Sequence, residues 1–242
     1  MNDSAYLLPT TTTADERERG ARVALLPVGS FEQHGPFLPL ATDTVIACTI
    51  AGALAAAYPA LRLLPPVTIS CSHEHENDAW PGTVSISART LYAVIHDIAD
   101  SLARSGINRL ILVNGHGGNY VLGNAVQEAA GKGRRMGLFP GPADWDAARA
   151  AAGLESSSWG DMHAGELETS VLLHAHPELV RPGQESADHD AGDRPHLLTL
   201  GMAAYTESGV IGWPSLATAH KGKALVAALV ESFNDHLTVL DA

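Results

Sequence analysis

RLILVNGHGGNYVLGNAVQEAA, residues 109–130, is the stretch from which the fold is read. Arg109–Val113 is a short continuous apolar run, the pattern of a strand covered on both faces in a parallel sheet. Gly115, Gly117 and Gly118 permit a tight turn, and Tyr120–Ala130 then reads as a helix. Working outward, the same strand–loop–helix unit recurs. Val23–Val28 reads as a buried strand ending in Gly29, and Thr44–Tyr58 as an Ala-rich helix stopped by Pro59. Arg62–Ser70 predicts a second strand. Ser87–Arg104 predicts an amphipathic helix, with Ser87 as cap, Leu91, Val94, Ile95, Ile98 and Leu102 as its apolar stripe, and Gly106 at its end. Arg135–Phe139 reads as a further strand; after a Pro/Gly/Ser-rich interval, Glu166–His174 and Lys223–Leu240 read as helices, and 181–220 as irregular. This alternation predicts an α/β fold, a three-layer sandwich around a mostly parallel sheet, in a single domain over residues 1–242. Sites in such folds form in the loops that leave the carboxyl ends of strands.

The chain has 242 residues with 15 Lys and Arg against 27 Asp and Glu, a formal charge of −12. Such a surface repels nucleic-acid phosphates and anionic lipid, so neither nucleic acid nor membrane is an expected partner. No stretch reaches the ~18 apolar residues of a membrane span. Two cysteines cannot form a disulfide framework, which favours a reducing compartment such as the cytoplasm. Residues 1–20 are polar and are expected to lie over the surface. Twelve histidines are the compositional oddity.

Three motifs sit in strand-end loops. The first is GSFEQHGP, residues 29–36, followed by Asp43. In extended backbone Glu32 and His34 point the same way, and the turn-rich connection can fold Asp43 back towards them. One imidazole and two carboxylates suit Zn²⁺, Mn²⁺ or Fe²⁺, although E-x-H alone is more often a surface charge and a loop filler. The second is NGHGGN, residues 114–119. It lacks the Lys-Ser/Thr of a phosphate-binding loop and does not fit G-x-G-x-x-G, so His116 is placed as a ligand or as a plain turn histidine. The third is WGDMHAGELET, residues 159–169. A helix starting here sets His163 and Glu166 on one face, with Glu168 about 200° round from Glu166. Acidic residues that merely suit the helix dipole are the alternative. A fourth segment, SHEHENDAWPGT at 72–83, is expected to form a substrate-facing wall rather than to bind metal. Cys48 is expected to be a small core residue, and Cys71 lacks an activating partner in sequence.

Taken together, LLPVGSFEQHGPFLPLATD (25–43), WPGT (80–83), LILVNGHGGN (110–119) and HAGELETS (163–170) resemble the creatininase family of metal-dependent amidohydrolases, in family order and across most of the chain. The resemblance implies two divalent metal ions (Zn, Fe or Mn), bridged by Asp43, with Glu32, His34 and His116 as further ligands. Creatinine-hydrolysing members carry a ligating glutamate where this chain has Gly118. The HAGE motif implies that Glu166 restores that carboxylate, with Glu168 as the alternative fifth ligand, and the loss argues against creatinine as substrate. His163 matches a histidine assigned to proton transfer, and Trp159 a tryptophan that helps close the site. His75 and Gly117 complete the substrate contacts implied.

The second half, from HPELVRPG through DRPHLLTLGMAAYTESGVIG to KGKALV, is most similar to the branch that acts on the mycofactocin precursor peptide. That similarity implies a peptidase releasing a C-terminal Val-Tyr dipeptide, with Arg181, Arg194 or Lys221 as partner for the terminal carboxylate. The alternatives are a creatinine amidohydrolase, a formamide deformylase, or a non-catalytic binding protein on the same scaffold. Relatives commonly assemble as hexamers, so a homo-oligomer is expected.

Overall fold

The computed structural model describes residues 8–241. Strands β1 (Val23–Val28), β2 (Arg62–Leu63), β3 (Arg109–Asn114) and β4 (Arg135–Phe139) form one sheet in the order β2-β1-β3-β4, every pairing parallel. The helices are α1 (Thr13–Arg19), α2 (Thr42–Ala57), α3 (Ala88–Arg104), α4 (Val121–Gly131), α5 (Pro142–Ala152), α6 (Glu166–Ala175), α7 (Leu197–Leu200) and α8 (Ala219–Asp241). Alternate strand residues serve opposite faces. Leu25, Ile111, Val113 and Phe139 pack with α2, α5, α6 and α8, whereas Ala24, Leu26, Leu110 and Leu112 pack with α3 and α4. Both faces are therefore covered, which is why β3 is apolar at successive positions. The α/β architecture expected from the sequence is present as three layers.

The pairing of β1 with β3 runs from Val23 opposite Arg109 to Val28 opposite Asn114. The two central strands thus end level, and the loops that follow them leave the sheet side by side. This register brings the first two motifs together.

Ser87 Oγ accepts the Thr90 amide at 3.2 Å, and α3 buries Leu91, Ile95, Ala99 and Leu102. The expected strand over 62–70 is cut to Arg62–Leu63, because Pro65 and Pro66 have no N–H for a ladder. The chain rejoins β1 only where Val67 donates to the Pro27 carbonyl at 2.9 Å. Helices α1 and α5 were not expected. In α5, Pro142 occupies the first turn and Asp144 accepts the Gly141 amide at 2.8 Å, a start signal hidden in a stretch that reads as Pro/Gly-rich loop. A cavity of about 740 Å³ lies between α2, β2 and the end of α6, but none of the motif residues considered below lines it.

Candidate metal centre

Close backbone packing assembles the site. A Cβ on Gly29 would come 2.3 Å from Thr44 Cα, and one on Gly115 would come 2.3 Å from the Asp43 carbonyl oxygen. Only glycine lets the ends of β1 and β3 press this closely on the first turn of α2. Ser30 Oγ donates to Asp43 Oδ2 at 2.7 Å, and Thr44 Oγ1 donates to the Ser30 carbonyl at 3.0 Å, fixing the helix start against the loop. Glu32, His34, Asp43 and His116 are consequently all buried within one cluster.

Three rings share one hydrogen-bond pattern. His34 Nδ1 faces the Glu32 carbonyl at 3.0 Å, His116 Nε2 the Cys71 carbonyl at 2.9 Å, and His163 Nε2 the Gln33 carbonyl at 2.6 Å. Each ring donates one N–H to main chain and turns its other nitrogen towards carboxylates, the arrangement that orients metal-binding imidazoles. His34 Nε2 lies 3.1 Å from Asp43 Oδ1 and 3.8 Å from Glu168 Oε2. His116 Nδ1 lies 3.0 Å from Asp43 Oδ2 and 3.2 Å from Glu32 Oε1, and His163 Nδ1 lies 3.9 Å from Glu32 Oε1. Among the described residues, three sets of donor atoms fall within 4.8 Å of one another: Glu32–Asp43–His116, His34–Asp43–Glu168 and Glu32–His34–His163. Asp43 belongs to the first two sets.

Charge and orphaned atoms both fit divalent cations. Among the described residues, neither buried oxygen of Glu32 has a well-formed hydrogen bond, only ring nitrogens 3.2 and 3.3 Å from Oε1, a costly state for a carboxylate unless a cation compensates it. Burial opposes charge on His34, but the Asp43 carboxylate, with Glu168 and Glu32 behind it, raises that ring to about 10. Burial likewise opposes charge on His116, and Glu32 and Asp43 override it and hold the ring well above the usual histidine range. Burial would raise Asp43, but His34 and His116 hold it well below the usual carboxylate range. Burial, the dominant effect, pushes the Glu168 carboxyl up to about 8. His75 is lowered to about 4 and His163 is lowered strongly, chiefly by burial and also by neighbouring rings. Without a metal, two imidazolium rings supply the positive charge that the carboxylates demand. Mixed imidazole and carboxylate donors suit Zn²⁺, Fe²⁺ or Mn²⁺.

Glu166 is not brought into the cluster, which corrects the reading of the HAGE motif. Its carboxylate accepts from the Ser156 amide at 2.9 Å, Ser156 Oγ at 2.6 Å and Lys221 Nζ at 2.5 Å. Helical facing fails here because α6 begins only at Glu166, so His163 lies outside the helix. Ala164 adopts a left-handed φ of 52°, and its amide donates to Glu168 Oε2 at 2.6 Å. That bond draws Glu168 back beside His34. A glutamate at the third helical position commonly reaches back in this way, and that was the available sequence signal.

Other residues also depart from expectation. His75, expected on a substrate-facing wall, lies inside the cluster with its Nε2 3.3 Å from Glu32 Oε1. A Cβ on Gly118 would come 2.4 Å from both Glu74 Oε1 and His116 Nε2, so the Glu74 carboxylate already stands where a side chain at 118 would start. Glu74 lies in the segment expected as a substrate-facing wall and Gln33 within the first motif, but neither stands out in the sequence as a site residue. Trp159 is 62% exposed, outside the cluster, with the Arg194 guanidinium 4.5 Å from its ring. A Cβ on Gly117 would meet nothing, leaving that face of the loop open. Lys221 is committed to Glu166 and Glu155, and Arg181 is exposed.

A buried imidazole–carboxylate cluster at the carboxyl edge of a covered parallel sheet defines the class: an α/β protein with the donor set of a metallohydrolase. The family model for creatininase, described as creatinine amidohydrolase, matches residues 9–237, and the chain belongs to the creatininase family. It is a hydrolase of that family. A mycofactocin precursor peptide peptidase of Mycobacterium ulcerans (strain Agy99) is 39% identical over 219 residues, covering 86% of this chain and 81% of that protein. A creatinine amidohydrolase of Pseudomonas putida is 26% identical over 235 residues, covering 89% of this chain and 88% of that protein. A solved creatininase variant in a Zn–Zn form matches with TM-score 0.77 and 25% identity, covering 94% of this chain and 95% of that one.

Proposed function

We propose that the protein is a dinuclear metallopeptidase that releases a C-terminal dipeptide from the modified mycofactocin precursor peptide. The observation carrying this reading is the gap in similarity, 39% identity to a peptidase of that name against 26% to a creatinine amidohydrolase. The residue difference at Gly118, whose side-chain space Glu74 fills, supports a substrate other than creatinine. Glu32, Asp43 and His116 would hold one cation, and His34, Asp43 and Glu168 the other. Bound there, the cations supply Lewis acidity towards the scissile carbonyl and acidify a water molecule near neutral pH.

His163 takes the catalytic role in this proposal. Its Nε2 is tied to the Gln33 carbonyl, so its Nδ1 lone pair is free to accept the proton of the attacking water and return it to the leaving nitrogen. Arg194 is the favoured reader of the terminal carboxylate. It is 7% exposed, donates only to the carbonyls of Gly192 and Trp159, and pairs with no carboxylate among the described residues. Trp159, carried beside it, and the open face at Gly117 would border the bound peptide. Assembly into a cytoplasmic homo-oligomer belongs to the same proposal. The exposed Leu198 and Leu200 of α7 are apolar surface that suits contact between copies.

The test is to incubate metal-loaded enzyme separately with processed precursor peptide, creatinine and a formylamino-pyrimidine nucleotide, and to weigh the products by mass spectrometry. Dipeptide release that requires a free terminal carboxylate is expected. Efficient creatinine opening, or preferential formate release, would assign the chain to another activity of the family.

A further inference from the structure

Of the four rings in the cluster, His75 alone does not give an N–H to main chain. Its Nδ1 faces the side-chain nitrogen of Gln33 at 3.1 Å. The polarity of that contact is settled by what else holds the carboxamide. Gln33 Oε1 accepts the Gly35 amide at 3.0 Å, and Gln33 Nε2 donates to the Gly209 carbonyl at 3.2 Å. Swapping oxygen and nitrogen would set donor against donor and acceptor against acceptor at both places. The second N–H of the amide therefore points at His75 Nδ1, which must accept. A ring that accepts at Nδ1 carries its proton on Nε2, and that atom lies 3.3 Å from Glu32 Oε1.

The surroundings hold Gln33 in this pose. A Cβ on Gly209, where φ is +87°, would come 1.8 Å from Gln33 Oε1, so the missing side chain at 209 makes the room that the carboxamide fills. The Gln33 main chain is fixed as well, its amide donating to Thr83 Oγ1 at 3.0 Å and its carbonyl accepting from His163. Gln33 thus touches two of the rings, His75 and His163, and none of the residues in the two donor sets that share Asp43.

We propose that Gln33 is a positioning residue that keeps the His75 proton on Nε2, making His75 the ring hydrogen-bond donor of a site whose other three rings present lone pairs. The donor faces the cluster beside Glu32 and, in this proposal, would meet a substrate carbonyl oxygen as it gathers negative charge. This role rests on the hydrolase reading of the site, but the proton position does not depend on which amide is cut.

Neutron crystallography of the full-length Zn²⁺-loaded protein reads the proton directly. Deuterium on Nε2 and none on Nδ1 of His75 is expected, and deuterium on Nδ1 overturns the proposal. Gln33→Glu offers an acceptor to Nδ1 and should draw the proton there. With metal content matched to the parent, its kcat should fall about 100-fold while KM stays within about threefold, the scale set by losing one donor to a developing oxyanion. Unchanged kcat per bound metal would show that Gln33 only supports the fold. In a His75→Gln background, whose amide N–H takes the place of Nε2–H, Gln33→Glu should cost less than about threefold more. Losses that simply multiply would overturn the coupling. The kinetic arms use whichever amide the enzyme cleaves fastest, so an error in substrate assignment leaves them valid.

Discussion

Glu166 and Glu168 are two residues apart, yet one carboxylate is held by Ser156 and Lys221 and the other stands beside His34. Glu168→Gln should lower bound metal from about two equivalents towards one and abolish hydrolysis, since charge is removed from a donor set. Glu166→Gln should retain metal but lower stability by about 1–3 kcal/mol, as the Lys221 pair and a buried acceptor weaken. Elemental analysis beside thermal melts distinguishes the two, and the reverse ranking would restore the helical-face reading. Titration belongs to this scale too. The folded metal-free protein raises His34 from 6.5 to about 10 and Glu168 from 4.5 to about 8. Groups raised on folding stabilise at low pH and lose that contribution as pH climbs through the folded values. Metal-free protein should therefore melt progressively lower between about pH 6.5 and 10, and saturating Zn²⁺ should flatten that decline by taking the ring as a neutral ligand. Parallel pH profiles with and without metal would contradict this assignment of charge.

The strands and helices show what periodicity can and cannot reveal. β1 and β3 were legible because a strand buried on both faces is a continuous apolar run, and α3 because its Ser87 cap and stripe agree. Glu32, His34, Asp43 and His116 were legible because they follow strand ends within short, recognisable motifs. Glu168 was not, because the left-handed turn at Ala164 moves the helix start to Glu166, and only with that start does Glu168 read as a third-position glutamate that reaches back. His75 reads as a substrate contact, but its pairing with Gln33 was hidden for a different reason: the contact joins segments 42 residues apart in sequence. The start of α6 depends on Asp161, which accepts the amides of Glu166 at 2.6 Å and Leu167 at 3.0 Å and pairs with Arg149 at 3.3 Å. Asp161→Ala should cost about 3–5 kcal/mol, as for breaking a buried pair, and should also lower activity because Glu168 and His163 lose their anchor. Chemical denaturation with an activity assay checks both, and a stable, fully active variant would show that the element is held elsewhere.

Across the whole molecule, the parallel register of β1 and β3 places two loops at one edge of the sheet, and α2 and α6 bring Asp43 and Glu168 to meet them. Sequence reading reached the layered α/β fold and the strand-end position of the loops, because both follow from general rules of parallel sheets. It could not reach the exact partners, which depend on how helix termini pack. In the proposed dinuclear centre, Asp43 is shared by two cations. Anomalous X-ray scattering from Zn²⁺-loaded crystals, measured on both sides of the zinc edge, tests it most directly. Two peaks should appear, one among Glu32, Asp43 and His116 and the other among His34, Asp43 and Glu168. A single peak, or a second peak at Glu166, would contradict it.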